Sequence, residues 1–148
     1  MFKATQALHK ILKLKKRLRV VQGGTAAGKT IAILLILIDQ AQKEKGKLIS
    51  VVSESFPHLR RGAIRDFLLI METHNYYKDD RWNKTECVYT FETGSKIEFF
   101  SADQPGKVRG PRRNVLFINE CNNISYDTYT QLVIRTDGEI YLDYNPVS

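Results

Sequence analysis

The chain of 148 residues is poor in cysteine, has fewer acids than bases and contains no long apolar run, and each shortage narrows what it can be. Cys87 and Cys121 are its only two cysteines and stand in no metal-ligand spacing, which argues against a disulfide framework or a cysteine-based zinc site. With no signal peptide ahead of them, they read as free thiols in a reducing, intracellular setting. The apolar stretch Ile31 to Ile38 falls far short of the ~20 residues a bilayer requires and is closed by Asp39, so no membrane partner is expected. Asn83-Lys84-Thr85 and Asn123-Ile124-Ser125 match the glycosylation pattern, which carries no weight without a secretory route. Repeats and low-complexity tracts are absent. Acidic residues number 16 against 23 lysines and arginines, giving a formal charge of +7 and a pI near 9.5. That excess favours polyanionic partners, with nucleotide phosphates and nucleic acid both able to account for it. At 43% hydrophobic, the chain is long enough for one domain with a real core and too short for two ordinary ones.

What is present centres on Gly23-Gly24-Thr25-Ala26-Ala27-Gly28-Lys29-Thr30, which satisfies the pattern G-x-x-x-x-G-K-[ST] at every fixed position. Small residues let successive backbone N–H groups turn inward as an anion nest at the mouth of the following helix. Lys29 is then expected to reach the β- and γ-phosphates of ATP, and the Thr30 hydroxyl to ligate Mg²⁺. The flanks fit: Leu18-Arg19-Val20-Val21 is β-prone, and Ile31 to Ile38 opens a buried helix. That helix is expected over about Lys29 to Lys45, ending at Gly46.

Ahead of it, Phe2 to Lys16 patterns as a basic amphipathic helix, either a solvated face beside the pocket or a patch for nucleic acid or a neighbouring subunit; Gln6 there is a weak candidate for an adenine edge. Leu48 to Ser53 reads as a buried parallel strand. Ser55 and Pro57 open a helix carrying Leu59, Ala63, Phe67 and Ile70 at helical spacing, with Arg60, Arg61 and Arg65 as a solvated or phosphate-contacting face. Asn75 to Lys84 reads as a loop anchored by Tyr76, Tyr77 and Trp82. Cys87 to Phe91 and Lys96 to Ser101, joined by Glu92-Thr93-Gly94-Ser95, predict an antiparallel hairpin at the sheet edge. Ala102 to Arg113 is expected to be a mobile basic loop.

A second chemical signal is Val115-Leu116-Phe117-Ile118-Asn119-Glu120, an apolar run turning polar at the end of a buried strand, where ligands of open α/β sheets bind. In ATP-hydrolysing P-loop proteins such a strand delivers one acidic group to the Mg²⁺ shell and a second carboxylate that polarises the attacking water. Glu120 suits the second role. Asn119 occupies the first, where it can accept hydrogen bonds from metal-bound water but supplies no charge.

These stretches, with Phe56 to Phe67, Val108-Arg109-Gly110 and Tyr141-Leu142-Asp143-Tyr144-Asn145-Pro146, resemble the N-terminal ATPase domain of tailed-phage terminase large subunits, the motors that drive DNA into procapsids. The resemblance covers nearly the whole chain. It implies an α/β P-loop NTPase of the additional-strand (ASCE) type over residues 1–148, with a mostly parallel sheet of order 5-1-4-3-2, flanking helices and an antiparallel hairpin. It implies a ring of like subunits in which Arg109 reaches a neighbour's ATP as an arginine finger, against the bland alternative that Arg109, Arg112 and Arg113 are plain loop cations. Asn145 is implied as a γ-phosphate sensor or, alternatively, as a turn former before Pro146. Double-stranded DNA held through its phosphates, the procapsid portal and a small terminase subunit are the implied partners, in the cytoplasm of an infected or lysogenic bacterial host. Members of the family continue into a nuclease domain. As this chain stops at Ser148, a fragment or naturally truncated form without DNA cleavage is expected, with monomer as an option for the piece alone. A P-loop kinase or helicase-like ATPase and a non-hydrolysing nucleotide-dependent assembly module stay open as alternatives.

Overall fold

The computed structural model describes residues 17–22 and 26–144. Among the described residues seven strands form one sheet: β1 (Leu18–Gln22), β2 (Leu48–Ser53), β3 (Trp82–Asn83), β4 (Val88–Thr90), β5 (Lys96–Ser101), β6 (Val115–Ile118) and β7 (Ile140–Tyr144). Their spatial order is β1-β7-β6-β2-β5-β4-β3. The first five in that order are parallel to one another, and β4 and β3 add antiparallel pairings at the far edge.

Side chains alternate between the two faces of this sheet, and each face has its own apolar cluster. Val51 and Phe117 point to one side, where they meet Ile33, Leu34, Leu37 and Ile38 of α1 (Ala26–Lys43) together with Leu59, Ala63, Phe67 and Ile70. Val52, Leu116, Ile118 and Leu142 point to the other, where they meet Val108 and Leu132. The result is a three-layer α/β sandwich whose central strands are covered on both sides.

The uninterrupted apolar first half of α1 is explained by its burial around more than one face. The helix starts three residues before the expected Lys29, and Gly46 follows its end with φ +66°, a left-handed conformation suited to glycine. After β2, Ser55 caps α2 (Phe56–Leu59) by accepting from the His58 N–H at 3.3 Å, with Pro57 in its first turn. The chain then widens into a π-helical turn over Arg60–Ile64 before continuing as α3 (Arg65–Thr73). The spacing of Leu59, Ala63, Phe67 and Ile70 predicts their burial, and all four are fully buried; it does not predict the π turn.

Several expectations need correction. The order 5-1-4-3-2 is met in its 1-4-3-2 run, by β1, β7, β6 and β2, and not in the rest: among the described residues β1 forms one edge of the sheet, and beyond β2 the sheet continues through β5, β4 and β3. The hairpin of β4 and β5 forms, with Gly94 at φ +84° in its turn, but β5 is an interior strand. Ile97, Phe99 and Phe100 are all buried, so β5 gains by pairing with β2 on its other side. Residues 75–84 are not wholly loop, because Trp82–Asn83 adds the seventh strand. Trp82 packs on Phe67 and Phe99, and Tyr77 on Tyr89, whereas Tyr76 is exposed and stacks on His74. Residues 102–113 are fastened rather than a mobile loop: Pro105 opens the short helix α4 (Pro105–Val108), Val108 is buried and Arg113 is fully buried.

Candidate nucleotide site

Three parallel neighbours, β1, β7 and β6, end at the same edge of the sheet, beside the start of α1. The register sets Val21 opposite Asp143 and Ile118 opposite Leu142, so the residues just past β6 and at the end of β7 meet the first turns of α1. Lys29 and Thr30 project from that turn and are both buried, which places an ammonium and a hydroxyl where the strands deliver their polar ends.

A hydrogen-bonded knot ties these elements together. The Asn119 amide nitrogen donates to Thr30 Oγ1 and to both Asp143 carboxylate oxygens, each at 3.2 Å, while its oxygen accepts from Ser53 Oγ at 3.3 Å. Thr30 Oγ1 donates to Asp143 Oδ2 at 3.3 Å. The Glu120 backbone N–H donates to Asp143 Oδ1 at 2.5 Å, and Lys29 Nζ donates to the Tyr144 carbonyl at 2.5 Å. Asp143 is 2% exposed, and burial pushes its pKa up against the opposing pull of the Glu120 N–H, the Asn119 amide, the Lys29 charge and the Thr30 hydroxyl.

Glu120 leaves β6 with φ +51° and ψ +59°, a left-handed elbow unusual for a residue with a side chain. The elbow turns its carboxylate out of the strand direction into an open cleft of about 280 Å³ lined by Thr30, His58, Arg61, Gly62, Arg65, Asp66, Asn119 and Glu120. There Glu120 Oε2 lies 2.5 Å from His58 Nε2, and both side chains are only partly buried. The π turn starts two residues after His58 and sets Arg61 and Arg65 on the rim, which gives that local irregularity a place beside the site.

Of the residues expected from sequence, Lys29, Thr30, Asn119 and Glu120 are brought together, and Gly28 lies in the first turn of α1 with them. Gly23, Gly24, Thr25 and Asn145 lie outside the described residues, as do Gln6 and the amphipathic segment Phe2 to Lys16; Ala26 and Ala27 are described as backbone alone. Arg109 is elsewhere. It is exposed, at the end of α4, beside a groove shared with α5 (Tyr126–Ile134) through Asp127, Thr128 and Gln131. Of its neighbours in sequence, Arg112 pairs with Asp137 at the surface and Arg113 is a core residue, so the three are not equivalent loop cations.

Two members of the site are not marked by any motif. His58 carries no signal of its own in a helical stretch. Asp143 was legible only as part of the run 141–146, although an acid at the end of a strand beside the P-loop strand was a usable hint.

The donors facing Lys29 and the start of α1 include two hard oxygens, the Thr30 hydroxyl and the buried Asp143 carboxylate, bridged by the Asn119 amide nitrogen. That set suits Mg²⁺ bound alongside phosphates. Among the described residues there is no three-ligand cluster of His, Cys, Asp or Glu of the kind that cages a metal by protein alone, and Mg²⁺ held by one carboxylate, waters and phosphates needs none. No helix among them is long and apolar enough to cross a membrane.

A family model described as phage terminase large subunit matches residues 15–148. No protein of curated function matches the chain. Among solved structures, the large terminase of a thermophilic bacteriophage has a TM-score of 0.79 at 16% identity, over 95% of this chain and 39% of that one. The same protein in complex with ATP-gamma-S gives 0.77 at 17% identity, over 95% and 38%. The large terminase ATPase domain of Thermus phage P74-26 gives 0.71 at 14% identity, over 97% and 65%. At such identities the structural likeness is one of fold, and this chain spans about two fifths of the first of these proteins.

Proposed function

The chain belongs to the phage terminase large subunit family, and we propose that it is the Mg²⁺-dependent ATPase part of a motor that moves double-stranded DNA into a procapsid, converting ATP to ADP and phosphate. The observation that carries this reading is the meeting of Lys29, Thr30, Asn119 and Glu120 at one sheet edge, with the Glu120 carboxylate facing the cleft that Thr30 lines.

The loop Gly23 to Gly28 and the N–H groups at the start of α1 receive the phosphate chain, and Lys29 adds the positive charge that its outer oxygens require. Thr30 would ligate Mg²⁺ and Asn119 would order the water shell of the ion, which would supply positive charge to the phosphate oxygens. Glu120 accepts a proton from the water that attacks the γ-phosphorus as the bond to ADP breaks. His58 fixes the orientation of that carboxylate, and the left-handed elbow aims it. Arg109 stands away from its own chain's cleft, as a group acting on a neighbour's ATP must, and its guanidinium suits the charge that spreads over the transferring oxygens. The nucleotide is also served by Asn145 as γ-phosphate sensor. DNA is gripped through its phosphates without sequence preference, so binding falls steeply with salt. A homo-oligomeric ring, the portal, the small terminase subunit and the host cytoplasm complete the reading by family likeness.

The test is Glu120→Gln, with phosphate release and nucleotide binding measured side by side, with and without DNA. Binding is retained and turnover falls about 100-fold or more. Unchanged turnover with ATP bound overturns the assignment.

A further inference from the structure

The P-loop pattern asks for an acid on the strand that also delivers the water-activating carboxylate, and this chain has Asn119 there. Both ends of the Asn119 amide are taken up by protein: its oxygen by Ser53, its nitrogen by Thr30 and Asp143. The negative charge nearest the Thr30 hydroxyl instead comes from the adjacent strand. Asp143 Oδ2 lies 3.3 Å from Thr30 Oγ1, and Oδ1 is held by the Glu120 N–H at 2.5 Å. Parallel register makes this exchange of strands geometrically easy, because Ile118 and Leu142 are paired and the next residue of each strand is Asn119 or Asp143.

We propose that Asp143 carries the carboxylate of the Mg²⁺ shell in this protein, with Asn119 serving to hold that carboxylate against Thr30. The inference rests on the ATPase reading above and names the acid that reading lacked. Its physical ground is geometric: one Asp143 carboxylate oxygen is held against the Thr30 hydroxyl and the other by the Glu120 N–H. Asp143 is almost completely buried, and no lysine, arginine or histidine forms an ion pair with it among the described residues. Lys29, the positive charge that acts on it, is turned to the Tyr144 carbonyl. A carboxylate held in that position is a hard oxygen donor of the kind Mg²⁺ takes beside phosphates. A purely structural role, fastening the Glu120 elbow, needs a hydrogen-bond acceptor and no charge; asparagine fills it equally well.

The 148-residue chain is titrated with ATPγS, once in excess MgCl₂ and once in EDTA, for the native protein, Asp143→Asn and the exchange variant Asn119→Asp with Asp143→Asn. The native chain binds more tightly with magnesium. Asp143→Asn keeps its affinity in EDTA and loses the magnesium enhancement by about 10- to 100-fold, the usual scale for removing a charged partner from a metal site. The exchange variant, which returns the acid to β6, recovers most of it. Should Asp143→Asn fail to fold, the exchange variant alone still decides, since it keeps one acid and one amide in the pair. An Asp143→Asn protein with its magnesium enhancement intact overturns the inference and leaves the ATPase reading standing; so does an exchange variant that binds in EDTA but gains nothing from the ion. A native chain that binds no nucleotide in either buffer overturns both.

Discussion

Arg113 is the side chain whose environment departs most from its sequence context, and truncating it tests the fold. Its neighbours Pro111, Arg112 and Lys107 suggest a solvated basic loop, yet Arg113 is 1% exposed. Nε donates to Ser50 Oγ at 2.9 Å, a second nitrogen donates to the Leu132 carbonyl at 3.1 Å, and the group lies 5.8 Å from the centre of the Phe100 ring. Ser50 Oγ in turn donates to Glu98 Oε2 at 2.5 Å, so a carboxylate balances the buried charge through one hydroxyl. Burial pulls the Arg113 pKa down, and Glu98 opposes that pull. Arg113→Ala removes two charge-assisted hydrogen bonds worth about 1.5–3 kcal/mol each and leaves the Leu132 carbonyl without that partner. Relief of the desolvated charge returns part of this. A net loss of about 3 kcal/mol follows, or a fall in Tm of about 6–12 °C for a chain of this length. Arg113→Met, which keeps the stem and its contact with Phe100, falls between Arg113→Ala and the native chain. Arg112→Ala, at the exposed pair with Asp137, leaves Tm unchanged within error. Calorimetry or thermal circular dichroism reads all three. If Arg113→Ala melts with Arg112→Ala and the native chain, Arg113 is a surface cation and the account of this core is wrong.

Two further outcomes are expected. Arg109→Ala leaves nucleotide affinity unchanged and lowers turnover about 10³-fold under conditions where native activity rises faster than linearly with protein concentration; unaltered turnover there removes the finger assignment. Asp66 is buried at the cleft wall with Arg65 Nε 3.7 Å away, and burial raises its pKa more than that arginine lowers it. A raised carboxylate pKa means stability that is fully present below the unfolded value of 3.8 and lost as pH rises through the folded value. Asp66→Asn therefore raises Tm at pH 7 and has no effect near pH 3, where Asp66 is protonated; a variant less stable than the native chain at pH 7 shows that the Arg65 pair outweighs the burial.

The parts of the molecule that sequence made legible are those governed by short-range periodicity. Alternation and apolar runs located β2, β5 and β6, family resemblance located β7, the i, i+3 and i, i+4 spacing of Leu59, Ala63, Phe67 and Ile70 located the helix that covers the sheet, and glycine marked the turns at 46 and 94. Lys29, Thr30, Asn119 and Glu120 were found because each belongs to a local pattern with a chemical reason. What escaped depends on contacts between residues far apart in the chain. Ser50, 63 positions away, makes Arg113 a core residue, and nothing around Arg113 signals it. β5 enters the sheet because β2 offers it a second side, whereas its own sequence spells out only the hairpin.

The Mg²⁺ shell shows why pattern matching reads a site less well than register does. A motif assigns its acid to a strand by position in the chain, whereas a metal ion requires only that a carboxylate reach the P-loop hydroxyl. In a parallel sheet, adjacent strand ends stand about 4.8 Å apart, well within the span of an Asp and an Asn side chain together. The acid can therefore move from β6 to β7 without moving far in space, provided the residue left behind can bridge the gap. Asparagine can, because its amide nitrogen donates to the displaced carboxylate, as Asn119 does to Asp143 at 3.2 Å. An apolar residue at 119 cannot. Asn119→Leu accordingly loses the magnesium enhancement of nucleotide binding even though Asp143 is intact, and a leucine variant that keeps it shows that Asp143 stands against Thr30 unaided.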